Sequence, residues 1–342
     1  MTRSRTVLAE LLARYPPGFA PLAIARPPVP GFSGAVIFRV RCSAGDFCVR
    51  GWPPGGMPAE RILGLHRLLG HVRGAGVTQL AVPVDASDGS TLVRVAGRDW
   101  QVEPWLPGRA DFHEEPSDAR LRAAMRCLAD WHRAAASFRC APGDERWFGS
   151  RPAGVSPGVP DRLERIERWH GPKGAALRSA IDQAPSGPFR RLAREVHAAF
   201  RRAAPRIADE LRSAAEHRVP LQPCLRDVWH DHVLFLEDDV SGLVDPSACR
   251  TENVAADIAR LLGSLLGDDP PHWNFALAEY ERVRPLSDSE RRLVPVLDRG
   301  GVLLSGMTWL DRVYLRGWKV GDDPRVLDRL ATILSRMERL PK

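Results

Sequence analysis

The hydrophobic period of this chain changes once, near residue 105, and that switch limits its fold more than any other feature of the sequence. Before the switch, Gly34–Cys42 and Phe47–Arg50 alternate around a Ser-Ala-Gly-Asp turn, which predicts a β-hairpin. The Pro/Gly-rich stretch Trp52–Pro58 then leads into Ala59–Arg73, where Ile62, Leu65, Leu68 and Leu69 recur at helical spacing. Strand-like segments follow at Ala81–Val84, Thr91–Val95 and Trp100–Glu103. After the switch, Ser117 caps a helix whose Leu121, Ala124, Met125, Leu128, His132 and Ala135 share a face. More helical stretches lie near 160–182, 187–217, 253–267, 272–283, 288–306 and 324–340, and one β-rich island, Val233–Leu236 with Val240–Val244, interrupts them. The expected class is α+β: a small antiparallel-sheet lobe over 1–104, then a larger helical lobe over 105–342 that carries a hairpin. Glu103-Pro-Trp-Leu-Pro-Gly108 reads as the hinge between them.

Composition narrows the functional classes. A length of 342 residues suits two lobes better than one, and 44% hydrophobic with 27% charged residues is the balance of a folded protein. Val7–Ala13 reads as a short amphipathic helix without the apolar core of a signal peptide. No apolar run reaches the roughly 18 residues that a membrane span needs. The cysteines (Cys42, Cys48, Cys127, Cys140, Cys224, Cys249) show no C-x-x-C pair, so buried thiols in a reducing cytoplasm are expected rather than disulfides or zinc ligands. The net charge of +7 is spread through Arg-rich helices instead of one block, which disfavours nucleic acid as a partner.

The embedded hairpin carries the chemistry. It reads Leu225-Arg-Asp227-Val-Trp-His-Asp-His232, an apolar strand, and then Gly242-Leu-Val-Asp245. Phosphoryl transfer asks for a carboxylate near the attacking hydroxyl and for ligands that hold magnesium on the phosphates. Asp227 can serve as the first. His232, five positions on, and Asp245, after the hairpin, can serve as the ligands. Taken alone, Asp227 also reads as a loop carboxylate that caps a turn.

This pattern resembles the aminoglycoside phosphotransferase-like family of the protein-kinase-like superfamily. Its catalytic loop runs His-Gly-Asp-x-His-x-x-Asn, followed by a strand and a Val-Ile-Asp-Phe segment. Asp257-Ile-Ala-Arg-Leu-Leu and Leu128-Ala-Asp-Trp-His132 resemble two further family helices, so the likeness spans nearly the whole chain in order. Leu225, Arg226, Trp229 and His232 depart from the family's His, Gly, His and Asn. Histidine is a softer ligand than an amide oxygen and suits magnesium less well. The resemblance implies a kinase-like fold, ATP and magnesium as cofactors, and a small hydroxylated molecule as acceptor. Asp227 would be catalytic, and His232 with Asp245 would hold the metal.

The resemblance also places a phosphate-binding cation at the end of the early hairpin, where Arg50 stands. The sole acid between Arg50 and Asp85 is Glu60, which is expected to orient it. Gly31, Ser33 and Gly34 would form a phosphate-covering loop, although a plain turn explains them equally well. Glu103 and Trp105 would offer backbone groups to adenine. Two rival readings stay open: a pseudokinase that binds without turnover, and a metal hydrolase centred on His230-Asp-His232. The second needs an extended segment that puts both imidazoles on one side, with Asp227, Asp245, His170 or His132 as further ligands.

Overall fold

The computed structural model describes residues 2–26, 34–319 and 323–341. In chain order, α1 (Thr2–Leu12), β1 (Pro21–Ala25), β2 (Val36–Cys42) and β3 (Gly45–Gly51) are followed by α2 (Ala59–Gly74), β4 (Val93–Val95) and β5 (Arg98–Pro104). Next come α3 (Asp118–Ala136), α4 (Glu145–Phe148), β6 (Arg151–Gly154), α5 (Gly158–His170), α6 (Pro172–Gln183), α7 (Pro188–Ala215) and β7 (Val219–Cys224). The chain continues through β8 (Val233–Leu236), β9 (Asp239–Leu243), β10 (Arg250–Glu252), α8 (Ala255–Leu265), α9 (Pro270–Glu281) and α10 (Asp288–Leu310). A π-helical turn, Asp311–Leu315, and α11 (Pro324–Glu338) complete it. An antiparallel sheet thus occupies the N-terminal part and helices dominate the C-terminal part, as the period switch predicts.

The contacts divide the chain into two units. The first takes Met1–Ser150, His230–Arg250 and Glu279–Arg284. Its sheet runs β1-β2-β3-β5-β4, with Phe38 opposite Val49 and Arg50 opposite Gln101. Because side chains alternate along a strand, Val49 and Val102 point to one face and Arg50, Gln101 and Glu103 to the other. The first face makes a core with Leu8 and Leu11 of α1. The buried Ile62, Leu65, Leu68 and Leu69 confirm the apolar face expected of α2. The hairpin β8–β9 joins this unit, and isolated bridges tie Leu80 to Leu243 and Arg109 to Phe235. Ala81–Val84 is not a strand. Pro83 has no N–H to give a ladder, and the segment keeps one bond, from the Val84 N–H to the Val102 carbonyl.

The second unit takes Arg151–Trp229, Thr251–Ala278 and Pro285–Lys342. Its long helices α7 and α10 pack together, with α5, α8 and α11 against one or both. The helix expected over 160–182 is two helices, since Gly171 is extended ahead of Pro172, which then starts α6. The strands β6, β7 and β10 escape sequence reading. Pro220 and Pro223 lie inside β7, where the loss of two donors argues against a strand.

Candidate active site

In the first unit, the polar face of the sheet is a buried hydrogen-bonded network. The Gln101 side-chain oxygen accepts from the Trp52 indole at 2.9 Å and from His66 Nε2 at 3.0 Å. Its amide nitrogen donates to Glu103 at 2.6 Å. That arrangement makes His66 a donor at Nε2, so its Nδ1 accepts from the Thr91 hydroxyl at 2.8 Å. Burial pushes the His66 imidazole down to about 4, and the ring is neutral.

Arg50 stands at the end of this network. Its guanidinium lies 3.8 Å from the Glu103 carboxylate and donates from Nη1 to Asp245 at 3.1 Å. It also sits over the Trp52 ring. Burial pushes the Glu103 carboxyl up against the pull of Arg50. Burial works against ionisation of Asp245 as well, but Arg50, a hydrogen bond to Ser247 and the nearby His232 imidazole hold its carboxyl below the usual range. Asp245 is one of four non-glycine residues at positive φ (+53°) among those described, a strained geometry that is often kept at functional sites. The hairpin closes through the Val244 N–H, which donates to the His232 carbonyl. So Arg50, Asp245 and His232 are brought together.

Glu60 is not part of that group. It is exposed in the first turn of α2, while Glu103 and Asp245 are the carboxylates of Arg50. Arg50 faces its cross-strand neighbours on β5, and the register that pairs β3 with β5 cannot be read from local sequence. What α2 contributes near Asp245 is Arg61, which sequence reading missed. It is buried and donates to the carbonyls of Ser247 and Cys249, each at 3.2 Å, and so braces the backbone just after Asp245. A charged residue on the apolar side of a helix was the available signal. Gly31 and Ser33 lie outside the described residues, and Gly34 has φ +72°. Trp105 carries the Arg39 guanidinium on its ring, and its N–H is taken by the Asp46 carbonyl.

His230–His232 is a 3₁₀ turn rather than an extended segment. Residues two apart in such a turn diverge, so the premise of the histidine-centred hydrolase fails. His230 instead packs its ring on His113 and pairs with Asp231.

In the second unit, the loop after β7 is held by α8. The buried Asp257 carboxylate accepts the N–H groups of Leu225 and Arg226, both at 2.6 Å. Arg226 is left-handed, with φ +64°. That turn exposes Asp227, whose Oδ1 accepts from Arg260 Nε at 3.2 Å and Nη2 at 3.1 Å. Asp257 and Arg260 are one turn apart on α8, so one helix face anchors the loop and orients its carboxylate. Within the first unit, the Asp245 carboxylate, paired with Arg50 and near the His232 imidazole, supplies an oxygen donor of the kind a hard cation such as magnesium takes.

Comparisons with known proteins bear on the family and the fold. The model of the phosphotransferase enzyme family (APH) matches residues 24–293. Homoserine kinase of Mesorhizobium japonicum is 29% identical over 248 residues, which is 71% of this chain and 67% of that one. A solved aminoglycoside phosphotransferase from Alicyclobacillus acidocaldarius superposes with a TM-score of 0.64 at 18% identity, covering 95% of this chain and 90% of that one. Spectinomycin phosphotransferase, solved with ADP and spectinomycin, superposes with a TM-score of 0.69 at 12% identity and covers 97% of each chain. The fold is therefore that of the kinase-like phosphotransferases.

Proposed function

The chain belongs to the phosphotransferase enzyme family, and from that premise we propose that it moves the γ-phosphoryl group of ATP to a hydroxyl of a small molecule. The observation that carries the reading is Asp245, gripped by the buried Arg50 at the end of the hairpin. Asp227 orients the acceptor hydroxyl and takes its proton as the oxygen bonds to phosphorus and ADP leaves. Arg260 keeps the Asp227 carboxylate pointed for that task. Arg50 binds the α- and β-phosphates in a bidentate geometry, with Glu103 in the orienting role expected of Glu60. Asp245 and His232 would hold magnesium, which when bound offsets the charge of the phosphates. The segment from Glu103 to Trp105 offers backbone groups to adenine, apart from the Trp105 N–H that Asp46 takes. The curated relatives make homoserine the first acceptor to assay.

Calorimetric titration of ATP, with and without magnesium, tests this reading. Magnesium-dependent binding is expected in the native protein and in Asp227→Ala, and is lost in Asp245→Ala. Turnover in Asp227→Ala should fall by about 10²- to 10⁴-fold, the usual contribution of a positioned proton acceptor. No ATP binding under any condition, or full turnover in Asp227→Ala, sinks the assignment.

A further inference from the structure

A cavity of about 370 Å³ lies within the second unit, between the last turns of α7 and the first turns of α10. A space of that size takes a small organic molecule. Val219, Leu293 and Val296 give it an apolar wall, and Arg206, His217 and Arg292 stand among its polar residues. It is not the place where Asp227 meets an acceptor. Val219 opens β7 beside the cavity, and Asp227 lies beyond the far end of that strand, after roughly 16 Å of extended chain.

The charges around the cavity favour an anion. Its two acids already have partners: Asp209 pairs with Arg212 at 2.6 Å, and Glu210 with Arg299 at 2.7 Å. Arg206 lies 3.6 Å from Glu210, beyond hydrogen-bond length. Arg292 is exposed and makes no ion pair among the described residues. Two guanidiniums beside an imidazole can grip a carboxylate or a phosphate. A cation meets like charge there.

Ser156, in the cavity wall, connects it with the loop that presents Asp227. Its hydroxyl donates to Glu252 Oε1 at 2.6 Å, and the Asn253 N–H donates to the same oxygen at 2.8 Å. Glu252 is fully buried. Its Oε2 has no hydrogen bond among the described residues and lies 3.9 Å from Arg226 Nε. Arg226 immediately precedes Asp227. Burial pushes the Glu252 carboxyl up, and the bonds from Ser156 and Asn253 oppose that rise, so its charge depends in part on the Ser156 hydroxyl. A serine has one O–H to give, so Ser156 can serve Glu252 or a ligand but not both.

We infer that this cavity is an effector site for a small organic anion with an apolar body, gripped by Arg206 and Arg292, which takes the Ser156 hydroxyl from Glu252. Glu252 then turns its charge to the Arg226 guanidinium, and that pull loosens the loop, displaces Asp227 and slows transfer. The slowing rests on the phosphotransferase reading, whereas the binding and the loosening of the loop do not.

Hexanoate, hexyl phosphate and hexylammonium, titrated into the protein by calorimetry, test the site, since none of them has an alcohol to be phosphorylated. One or both anions should bind about tenfold more tightly than hexylammonium, and which does so tells carboxylate from phosphate. Arg292→Gln should weaken that binding about tenfold, as loss of one charge-assisted contact implies. Ala214→Phe, which fills the cavity from α7, should abolish it, and the exposed Arg292 serves should this variant fail to fold. Hydrogen-exchange mass spectrometry reads the response. Bound anion should speed exchange of the Leu225 and Arg226 amides, which Asp257 holds, in the native protein but not in Ser156→Ala. Where turnover is measured, saturating anion should lower kcat about fivefold or more while KM for ATP stays within about twofold. The inference is overturned if neither anion binds more tightly than hexylammonium, or if Arg292→Gln and Ala214→Phe both leave anion binding intact. It also falls if bound anion changes neither exchange nor kcat. Failure of ATP binding is a separate result that removes the phosphotransferase reading, and the binding and exchange results still decide the effector site.

Discussion

Arg50 is buried because Glu103 and Asp245 give its charge two partners, and each partner depends on it in turn. Removing a buried cation leaves a carboxylate without compensation, a loss of about 3–5 kcal/mol. Arg50→Met should therefore lower the unfolding free energy by about 3 kcal/mol in urea titration, and adding Glu103→Gln should recover most of that loss. Position 232 carries a second prediction. An amide oxygen is a harder ligand than an imidazole, so His232→Asn should raise magnesium-supported turnover, and a manganese-to-magnesium activity ratio should fall in the variant. His66 makes stability depend on pH. Its pKa is 6.5 when unfolded and about 4 when folded, so between these values the unfolded chain binds more protons. Its contribution is complete above pH 6.5 and is lost as pH falls toward 4, by about 3 kcal/mol across the window. The difference in unfolding free energy between native protein and His66→Gln should shrink through that range. At this scale Asp227 and Asp245 were legible as candidates from their spacing, and Arg50 from the family resemblance. Arg61 and the Glu103 partnership were not, because both are set by cross-strand and helix-to-loop contacts between residues far apart in sequence.

Among the elements, α8 does most to hold the loop that presents Asp227. Asp257 replaces two backbone partners that the loop cannot find within itself, and Arg260 sits one turn further on the same face. Asp257→Ala leaves the Leu225 and Arg226 N–H groups without their acceptor, at about 1–3 kcal/mol. The expected outcome is that loss in stability, together with at least a tenfold fall in kcat measured below the melting temperature, because a small displacement of Asp227 spoils its alignment. The β8–β9 hairpin and its helix neighbours were legible from period and turn residues. The proline-bearing strand β7 was not, since its burial overrides what its composition argues. Gly108, in the segment read as a hinge, has φ +100°, and an added Cβ would strike the Phe235 carbonyl oxygen at 2.5 Å. Local composition showed the turn there but not that close approach.

Across the molecule, each unit gathers stretches that are distant in sequence. The first needs His230–Arg250 beside Met1–Ser150, and Phe235, Val240 and Leu243 of that hairpin are buried. A fragment of residues 1–150 lacks the hairpin and should lose the cooperative urea transition of the full chain, as followed by circular dichroism. The sequence by itself determined the order of sheet and helices and marked the candidates for phosphoryl chemistry, because period and spacing act over a few residues. The tertiary structure alone decided the partners of Arg50, the grip of Asp257 on the loop that presents Asp227 and the gathering of arginines on tryptophans near it. Those depend on strand register and helix packing, where burial over long loops sets which side chains meet.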